Sequence, residues 1–193
     1  MRIERLVVAS KNQDKLREIE SVLLGLGLVG EIVTGLDWPD IEETEPTLEG
    51  NALLKARTVA LATGLPSLAD DTGLEVDALG GAPGVRSSPF AGEGASYADN
   101  VQALVEQLAD EPERRARFRT VMALVTPGGR EIVAEGRLEG SIIDVPRGDS
   151  GFGYDPVFDV DGRTLAEFAA AEKNAISHRA RALRSLAEIL RRM

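Results

Sequence analysis

The sequence has no cysteine and a single histidine, His178. Without cysteine the chain cannot form a disulfide framework, a thiolate metal site or a cysteine nucleophile, and this composition fits a reducing compartment. One histidine also excludes a metal site built from several imidazoles. No apolar run approaches the roughly 18 residues of a membrane-spanning helix, and the first predicted strand starts too early to leave room for a signal peptide. We therefore expect a cytoplasmic protein that makes no membrane contact.

The sequence also has fewer basic than acidic residues. The chain carries 22 Lys and Arg residues against 32 Asp and Glu residues, which gives a formal net charge of −10. This balance argues against binding of a nucleic-acid polymer, whose phosphates are neutralised by basic side chains. A small anion can still bind at a local positive site.

The remaining composition is typical of a soluble globular protein, with 43% hydrophobic and 28% charged residues. A length of 193 residues fits one domain over residues 1–193, with or without two lobes, and is sufficient to bury a core.

Strands and helices alternate in the first third of the chain. The run Arg5–Ala9 predicts a buried strand, and a helix with apolar residues at helical spacing follows it up to Gly25. Glu31–Thr34 predicts a second strand, and Thr47–Thr63 predicts a second helix that ends at Gly64. The apolar positions of the first helix are Leu16, Ile19, Leu23 and Leu24.

The rest of the chain adds more strands and two further helical regions. "SLADDTGLEVDAL" predicts two short extended pieces around a turn at Thr72 and Gly73, and residues 116–140 predict a hairpin through "TPGG". A helix is predicted over Ser96–Ala109, a helix capped by Thr164 follows, and the last helix is predicted from Ser177. The expected fold is therefore α/β with a mixed sheet.

Four segments carry residues suited to chemistry, and "SKNQDK" at Ser10 to Lys15 is the first. A turn that opens a helix presents backbone N–H groups and the positive end of the helix dipole, which together favour phosphate. Lys15, one turn into the helix, could reach the same anion. The alternative is an ordinary helix cap in which Ser10 or Asn12 satisfies the N–H groups. No Walker motif occurs.

Acidic side chains form the second set. Glu43 precedes the second helix, and Asp70 and Asp71 lie side by side in "SLADDTGL". Mg²⁺ prefers oxygen ligands and usually takes one or two carboxylates together with substrate phosphates. Neighbouring side chains of a strand point to opposite faces, so both aspartates can face one site only if the backbone turns there. A solvated acidic loop or an Asx-turn is the alternative interpretation.

The last two segments are "GFGYDP" and "EKNAISHRARAL". Glycines around Phe152 and Tyr154 permit close approach of a ligand, and exposed rings can stack on a base. The alternative is a strand entry with two core aromatics. In the other segment, Lys173, His178 and Arg179 are predicted at the start of the closing helix, where the dipole disfavours cations and a functional reason for them is indicated.

Taken in order, "ASKNQDKLREI", "NALLKA", "LADDTGLEVDALGGAPGV", "GFGYDPVF" and "EKNAISHRARAL" resemble the successive motifs of the inosine triphosphate pyrophosphatases. The resemblance covers nearly the whole chain. It implies an α/β fold with a mixed central sheet flanked by helices, and two lobes with the active site in the cleft between them. It also implies Mg²⁺-dependent hydrolysis of ITP, dITP and XTP to a monophosphate and pyrophosphate, and a homodimer.

The resemblance also implies roles for individual residues. Asp71 would be the general base and, with Glu43, a metal ligand; Asp70 is a further candidate ligand. Thr72 would contact the substrate. Triphosphate binding falls to Ser10, Lys11, Asn12, Gln13, Asp14 and Lys15. Base and sugar recognition falls to Phe152, Gly153, Tyr154, Asp155, Lys173, His178 and Arg179.

The chain departs from the family pattern at four positions: Lys11 either adds a phosphate contact or points into solvent, and the role of the family's glutamate is not transferred to Gly50. Lys11 replaces a glycine, and Gly50 replaces a glutamate. Arg86 and Pro89 replace the tyrosine and arginine that are usual in the long loop.

Two other functions remain open at this point. The Maf-like nucleotide pyrophosphatases share the general fold and act on other bases, but "GFGYDP" and "SHR" argue against them. A nucleotide-binding sensor without turnover is disfavoured because both Glu43 and Asp71 are retained.

Overall fold

The computed structural model describes residues 2–88 and 90–193. Within these ranges the strands are β1 Ile3–Val8, β2 Val29–Ile32, β3 Ser67–Val76, β4 Pro83–Gly84, β5 Arg115–Val125, β6 Glu131–Ile142, β7 Phe158–Val160 and β8 Arg163–Thr164. The helices are α1 Gln13–Leu26, α2 Leu48–Thr63, α3 Tyr97–Gln107, α4 Ala170–Ile176 and α5 His178–Arg192. Single 3-10 turns occupy Asp77–Leu79 and Leu165–Glu167.

The strands form one mixed sheet in the order β2-β1-β3-β5-β6-β7-β8, with β4 paired to β3. Strand β1 runs parallel to both β2 and β3. Antiparallel pairs join β3 to β4, β6 to β7 and β7 to β8. Parallel neighbours need a crossover connection, which α1 and α2 supply. The predicted α/β fold with a mixed sheet is therefore confirmed.

Local signals placed most helix ends correctly. Asn12, Thr47 and Ser96 are the N-caps of α1, α2 and α3, and the Ser96 cap is a complete capping box with Asp99. Helix α2 ends at Gly64, whose φ of 67° is the left-handed conformation that glycine adopts without strain. These caps formed as predicted because their hydrogen bonds join residues only a few positions apart.

Two N-terminal predictions are wrong in detail. Helix α1 continues through Gly25 and ends at Gly27, and Leu24 is 69% exposed, so it does not belong to the buried stripe. The second strand lies at Val29–Ile32 because Val29 pairs with Ile3 of β1.

The predicted turn at Thr72 and Gly73 is also wrong, because β3 is one continuous strand of ten residues. Gly73 has a different reason to be glycine. A Cβ atom there would lie 2.5 Å from the carbonyl oxygen of Gly84, on the strand that pairs with this part of β3. Close approach of another strand, rather than a turn, therefore requires the glycine.

The C-terminal region contains three elements where two helices were predicted. Thr164 starts only a 3-10 turn, and Lys173 lies in the last turn of the separate helix α4. Helix α5 begins at His178. No helix within residues 2–88 or 90–193 is both long and apolar enough to span a membrane.

The chain divides into two compact units, each with its own core. Unit 1 comprises Met1–Asp71, Thr120–Gly136 and His178–Met193. Its core packs side chains of β1, α1 and α5, including Leu6, Ile19 and Leu183. Unit 2 comprises Thr72–Arg119 and Arg137–Ser177, and its core is centred on Leu104, Phe118 and Phe158. The single domain over residues 1–193 remains a prediction.

Candidate active site

Asp70 is a buried carboxylate surrounded by basic side chains of unit 1. Arg179, at the start of α5, donates from Nε and Nη2 to Oδ2 of Asp70 at 3.2 and 3.1 Å. Lys15 of α1 places its Nζ 3.4 Å from the same oxygen, and Arg179 also pairs with Glu18. Burial alone raises the pKa of Asp70, but the charges of Lys15, Arg179 and Lys55 outweigh burial and hold that pKa well below 3.8. Asp70 is therefore ionised and anchors α1 and α5.

Asp71 has a different set of partners, all on or before α2. Its Oδ1 lies 3.3 Å from Nζ of Lys55, and its Oδ2 accepts a hydrogen bond of 3.3 Å from Nδ2 of Asn51. Consecutive side chains of a continuous strand point to opposite faces, which explains why the two aspartates share none of these hydrogen bonds. The backbone break that was expected at this pair is absent, because β3 runs through both residues as a continuous strand and each carboxylate finds its own partners.

The pKa of Asp71 is shifted in the direction opposite to that of Asp70. Burial is the largest cause and raises the pKa of Asp71, Lys55 opposes it, and the negative charge of Glu43 adds to the increase. A carboxyl group with a raised pKa is a stronger proton acceptor once ionised, so Asp71 is the better base of the pair.

Glu43 and Asp71 are linked through Lys55. The Lys55 ammonium lies 2.5 Å from Oε1 of Glu43 as well as 3.3 Å from Asp71. Two carboxylates that share one ammonium mark a position where positive charge is favoured, and their oxygens suit Mg²⁺. Over the described ranges, no group of three or more His, Asp or Glu side chains forms a complete metal site. A cation held here would need further oxygen ligands, which substrate phosphates can provide.

The segment Ser10 to Lys15 forms the helix cap that was the alternative interpretation. Oδ1 of Asn12 accepts from the N–H groups of Asp14 and Lys15 at 2.9 and 3.2 Å, and Oγ of Ser10 accepts from the N–H of Asn12 at 3.2 Å. Two helix amides are therefore already used, so the remaining positive group of this segment that lies near Asp70 is the Lys15 ammonium. Phosphate binding by this segment remains a prediction.

The other charged side chains of the same segment pair with surface residues outside it. Lys11 pairs with Asp40 at 2.5 Å, so this departure from the family pattern forms a surface ion pair. Asp14 pairs with Arg17, and Gln13 is exposed.

Gly50, Arg86 and Pro89 are the other three positions at which the chain departs from the family pattern. At Gly50 a Cβ would lie 2.7 Å from Cβ of Glu45, so the Glu45 side chain occupies the space that a side chain at residue 50 would need. Arg86 is exposed, and Pro89 lies outside the described residues.

Unit 2 contains its own polar cluster around Asp155. Oδ2 of Asp155 accepts from Nζ of Lys173 at 2.5 Å and from the N–H of Phe152 at 2.8 Å. The Lys173 ammonium also lies 4.8 Å from the centroid of the Phe152 ring, and the ring of Tyr97 contacts Phe152 at 5.9 Å. Asp155 therefore contacts both Lys173 and the Phe152 backbone, and the half-buried Phe152 ring packs between Lys173 and Tyr97.

The two aromatics of "GFGYDP" differ from each other. Tyr154 belongs to the core of unit 2, and its hydroxyl donates to the carbonyl oxygen of Ser87 at 2.7 Å. Burial raises the pKa of Tyr154. The core interpretation thus applies to Tyr154, whereas Phe152, with its neighbour Gly153 at φ 64°, is only partly covered. Thr72, the first residue of unit 2, is also half-buried.

His178 and Arg179 are both buried at the start of α5. The predicted grouping with Lys173 at one helix end is wrong, since Lys173 belongs to α4. Strand β6 makes room for α5 at Gly136, where a Cβ atom would lie 2.2 Å from both the carbonyl oxygen of His178 and the amide nitrogen of Ala182. A glycine on the strand therefore sets how closely the α5 backbone approaches it.

Sequence reasoning assigned no role to four residues of these clusters: Asn51, Lys55, Glu18 and Gly136. Asn51 and Lys55 stand at positions i and i+4 of "NALLKA", the spacing that places both on one helix face, so a signal was present. Glu18 and Gly136 had no local signal, because their partners lie far away in the sequence.

The fold and these clusters define an α/β protein with a mixed open sheet, in which a central strand carries two buried carboxylates paired with lysine and arginine. The chain belongs to the Ham1 family, whose family model matches residues 6–189.

Known relatives resemble the chain over nearly their full length. A protein of Symbiobacterium thermophilum named dITP/XTP pyrophosphatase is 54% identical over 185 residues, which cover 93% of this chain and 91% of the relative. The solved structure of a HAM1 protein from Coxiella burnetii has a TM-score of 0.88 at 44% identity and covers 99% of this chain and 100% of its own. A nucleoside-triphosphatase, or dITP/XTP pyrophosphatase, of Mycobacterium abscessus has a TM-score of 0.75 at 45% identity, with coverage of 96% and 99%.

Proposed function

We propose that this protein hydrolyses the non-standard purine nucleoside triphosphates ITP, dITP and XTP to the monophosphate and pyrophosphate. The observation that carries the proposal is the buried Asp71 carboxylate, with a raised pKa, held between Asn51 and Lys55 next to Glu43. The names of the relatives at 42–54% identity support the same reaction.

In the proposed mechanism, Asp71 accepts a proton from a water molecule that attacks the α-phosphorus. The new bond joins the water oxygen to phosphorus, the bond between the α-phosphorus and the bridging oxygen breaks, and pyrophosphate leaves. Such a reaction depends on placement of the water and neutralisation of charge, and it needs no protein nucleophile. Lys15 and Lys55 supply positive charge to the triphosphate.

The proposed cofactor is Mg²⁺, which Glu43 and Asp71 would hold. When bound, this ion supplies charge neutralisation at the phosphate oxygens. Lys55 contacts both carboxylates, so it holds them beside each other and offers positive charge to a phosphate.

Base recognition is proposed to depend on Phe152, Lys173, His178 and Arg179. The ring of Phe152 offers a stacking surface, and the side chains of Lys173, His178 and Arg179 carry N–H groups that donate hydrogen bonds. Hypoxanthine and xanthine carry a C6 keto oxygen, whereas adenine carries an amino group that would meet these donors with a donor of its own. A mismatch of this kind in a buried site can cost several powers of ten in rate.

The test is a panel of kcat/KM values for ITP, XTP, dITP, GTP and ATP, with pyrophosphate as the measured product. We expect release from the first three, dependent on Mg²⁺, and little from ATP. Equal rates on ITP and ATP would refute the base discrimination, and cleavage of other nucleotides alone would favour the Maf-like alternative. Binding without any pyrophosphate release would instead identify a sensor.

The homodimer, the cytoplasmic location and the cleft site remain predictions. Light scattering on the purified protein tests the dimer directly.

A further inference from the structure

Asn51 is a fully buried polar side chain that joins two segments of unit 1. Its exposed fraction is 0%. Oδ1 accepts from the backbone N–H of Glu45 at 2.9 Å, and Nδ2 donates to Oδ2 of Asp71 at 3.3 Å. A backbone N–H only donates, so it must face Oδ1, and this fixes Nδ2 towards the aspartate.

The helix itself gains nothing from this side chain. Thr47 caps α2 by accepting from the N–H of Gly50 at 3.0 Å, and the backbone N–H of Asn51 makes an ordinary helical bond to Thr47 at 3.1 Å. An apolar residue would serve the helix equally well and would avoid burying a polar amide. The amide is therefore explained by its two side-chain hydrogen bonds.

Together, Asn51 and Lys55 hold both oxygens of Asp71. Lys55 lies one turn further along α2 and contacts Oδ1, while Asn51 contacts Oδ2. With both oxygens held, the plane of the carboxylate cannot rotate freely. Through Glu45, two residues after Glu43, the same Asn51 side chain also ties down the segment that carries the other proposed metal ligand.

We propose that Asn51 is a positioning residue for the hydrolysis, orienting the Asp71 carboxylate and holding the Glu43 segment beside it. This inference rests on the proposed function. Only an asparagine combines an acceptor and a donor at this reach. Glutamine is one methylene longer, aspartate loses the donor and adds a negative charge, and alanine has neither group.

The experiment compares Asn51→Ala with a matched control, Asn100→Ala. Asn100 is also a buried helical asparagine with two hydrogen bonds, from the N–H of Ala91 at 2.8 Å and to the carbonyl oxygen of Ser88 at 2.7 Å. Both variants lose two hydrogen bonds in a buried place and should lose similar thermal stability. Only Asn51 contacts the proposed catalytic aspartate.

We expect Asn51→Ala to lower kcat on ITP by about 10- to 100-fold, the usual cost of removing an orienting partner. The KM should change little, and a higher Mg²⁺ concentration should be needed for half-maximal rate. Asn51→Asp should lose kcat at least as severely, because it gives Asp71 no donor and places a second negative charge beside it, although it still accepts from Glu45. Asn100→Ala should keep kcat within about twofold, because its contacts lie outside the proposed site.

A second readout does not depend on turnover. The Glu45 amide proton is protected by Asn51, so its hydrogen exchange should accelerate in Asn51→Ala and stay unchanged in Asn100→Ala. Wild-type kcat in Asn51→Ala, an equal kcat loss in both alanine variants, or an unchanged Glu45 exchange rate would each overturn the inference. Absence of pyrophosphate release by the wild-type protein would overturn the proposed function itself, and the positioning role with it.

Discussion

Gly136→Ala tests whether close packing of the α5 backbone against β6 is needed for stability and for the contact between Arg179 and Asp70. The new Cβ would lie 2.2 Å from the carbonyl oxygen of His178 and 2.2 Å from the amide nitrogen of Ala182, whereas ordinary contact begins at 3.4 Å. Both contacts are with helix backbone, which cannot rotate away as a flexible side chain would. Helix α5 must therefore shift by about 1 Å to restore normal contact.

The cost of that shift has two parts. Overpacking of this kind costs about 1–3 kcal/mol. The shift also moves Arg179, whose hydrogen bonds to Asp70 of 3.1 and 3.2 Å would lengthen beyond useful range. Weakening this buried ion pair adds to the loss, although a full break, at about 3–5 kcal/mol, is the upper limit. We expect a total destabilisation of about 3 kcal/mol and a Tm lower by about 6–12 °C.

The assay is thermal and urea unfolding followed by circular dichroism, with Gly25→Ala as control. Gly25 lies inside α1 with nothing within 4 Å of an added Cβ, so alanine there should stabilise the protein by about 0.5–1 kcal/mol. If Gly136→Ala unfolds within about 0.5 kcal/mol of the wild type, the size expected for a neutral surface change, the close-approach argument is refuted.

Three further predictions concern single side chains. Asp71→Asn should lower kcat on ITP by about 10²- to 10⁴-fold while the circular dichroism spectrum is retained. A loss of kcat smaller than this would show that Asp71 is not the general base. Tyr154→Phe should lower the free energy of unfolding by about 1–2 kcal/mol, because the Ser87 carbonyl oxygen loses its hydrogen-bond donor. Its kcat should stay within about twofold of the wild type, and a large loss of kcat would mean that the hydroxyl contacts the substrate. Arg179→Met should destabilise the protein by about 3–5 kcal/mol because Asp70 loses its closest partner, and urea titration showing a smaller loss would mean that Lys15 suffices.

Interpretation of "SLADDTGL" shows where local reasoning failed. Thr72 and Gly73 have the composition of a turn, yet β3 continues through them because β4 pairs alongside, and a Cβ at Gly73 would lie 2.5 Å from the carbonyl oxygen of Gly84. A turn signal measures local conformational freedom, and it carries no information about a strand 11 positions away.

The candidate site residues were chosen from the sequence by residue type, and their contacts with one another were not predicted. Asp71, Glu43 and Lys15 were identified by chemistry and by resemblance. That Lys55 would link the first two, or that Arg179 would be engaged by Asp70 and Glu18, followed from no local pattern. Ion pairs across 109 and 161 positions of sequence arise only when the sheet brings β3, α1 and α5 together.

By itself, the sequence determined the fold class and most helix ends, and it indicated the acidic and basic residues of the candidate site. These features depend on hydrophobic periodicity and on hydrogen bonds within about four residues, which a linear pattern records. Only the tertiary structure decided that Asp70 and Asp71 have separate partners. Strand geometry sends the two side chains to opposite faces, and the helices packed there give Asp70 an arginine and a lysine and give Asp71 an asparagine and a lysine.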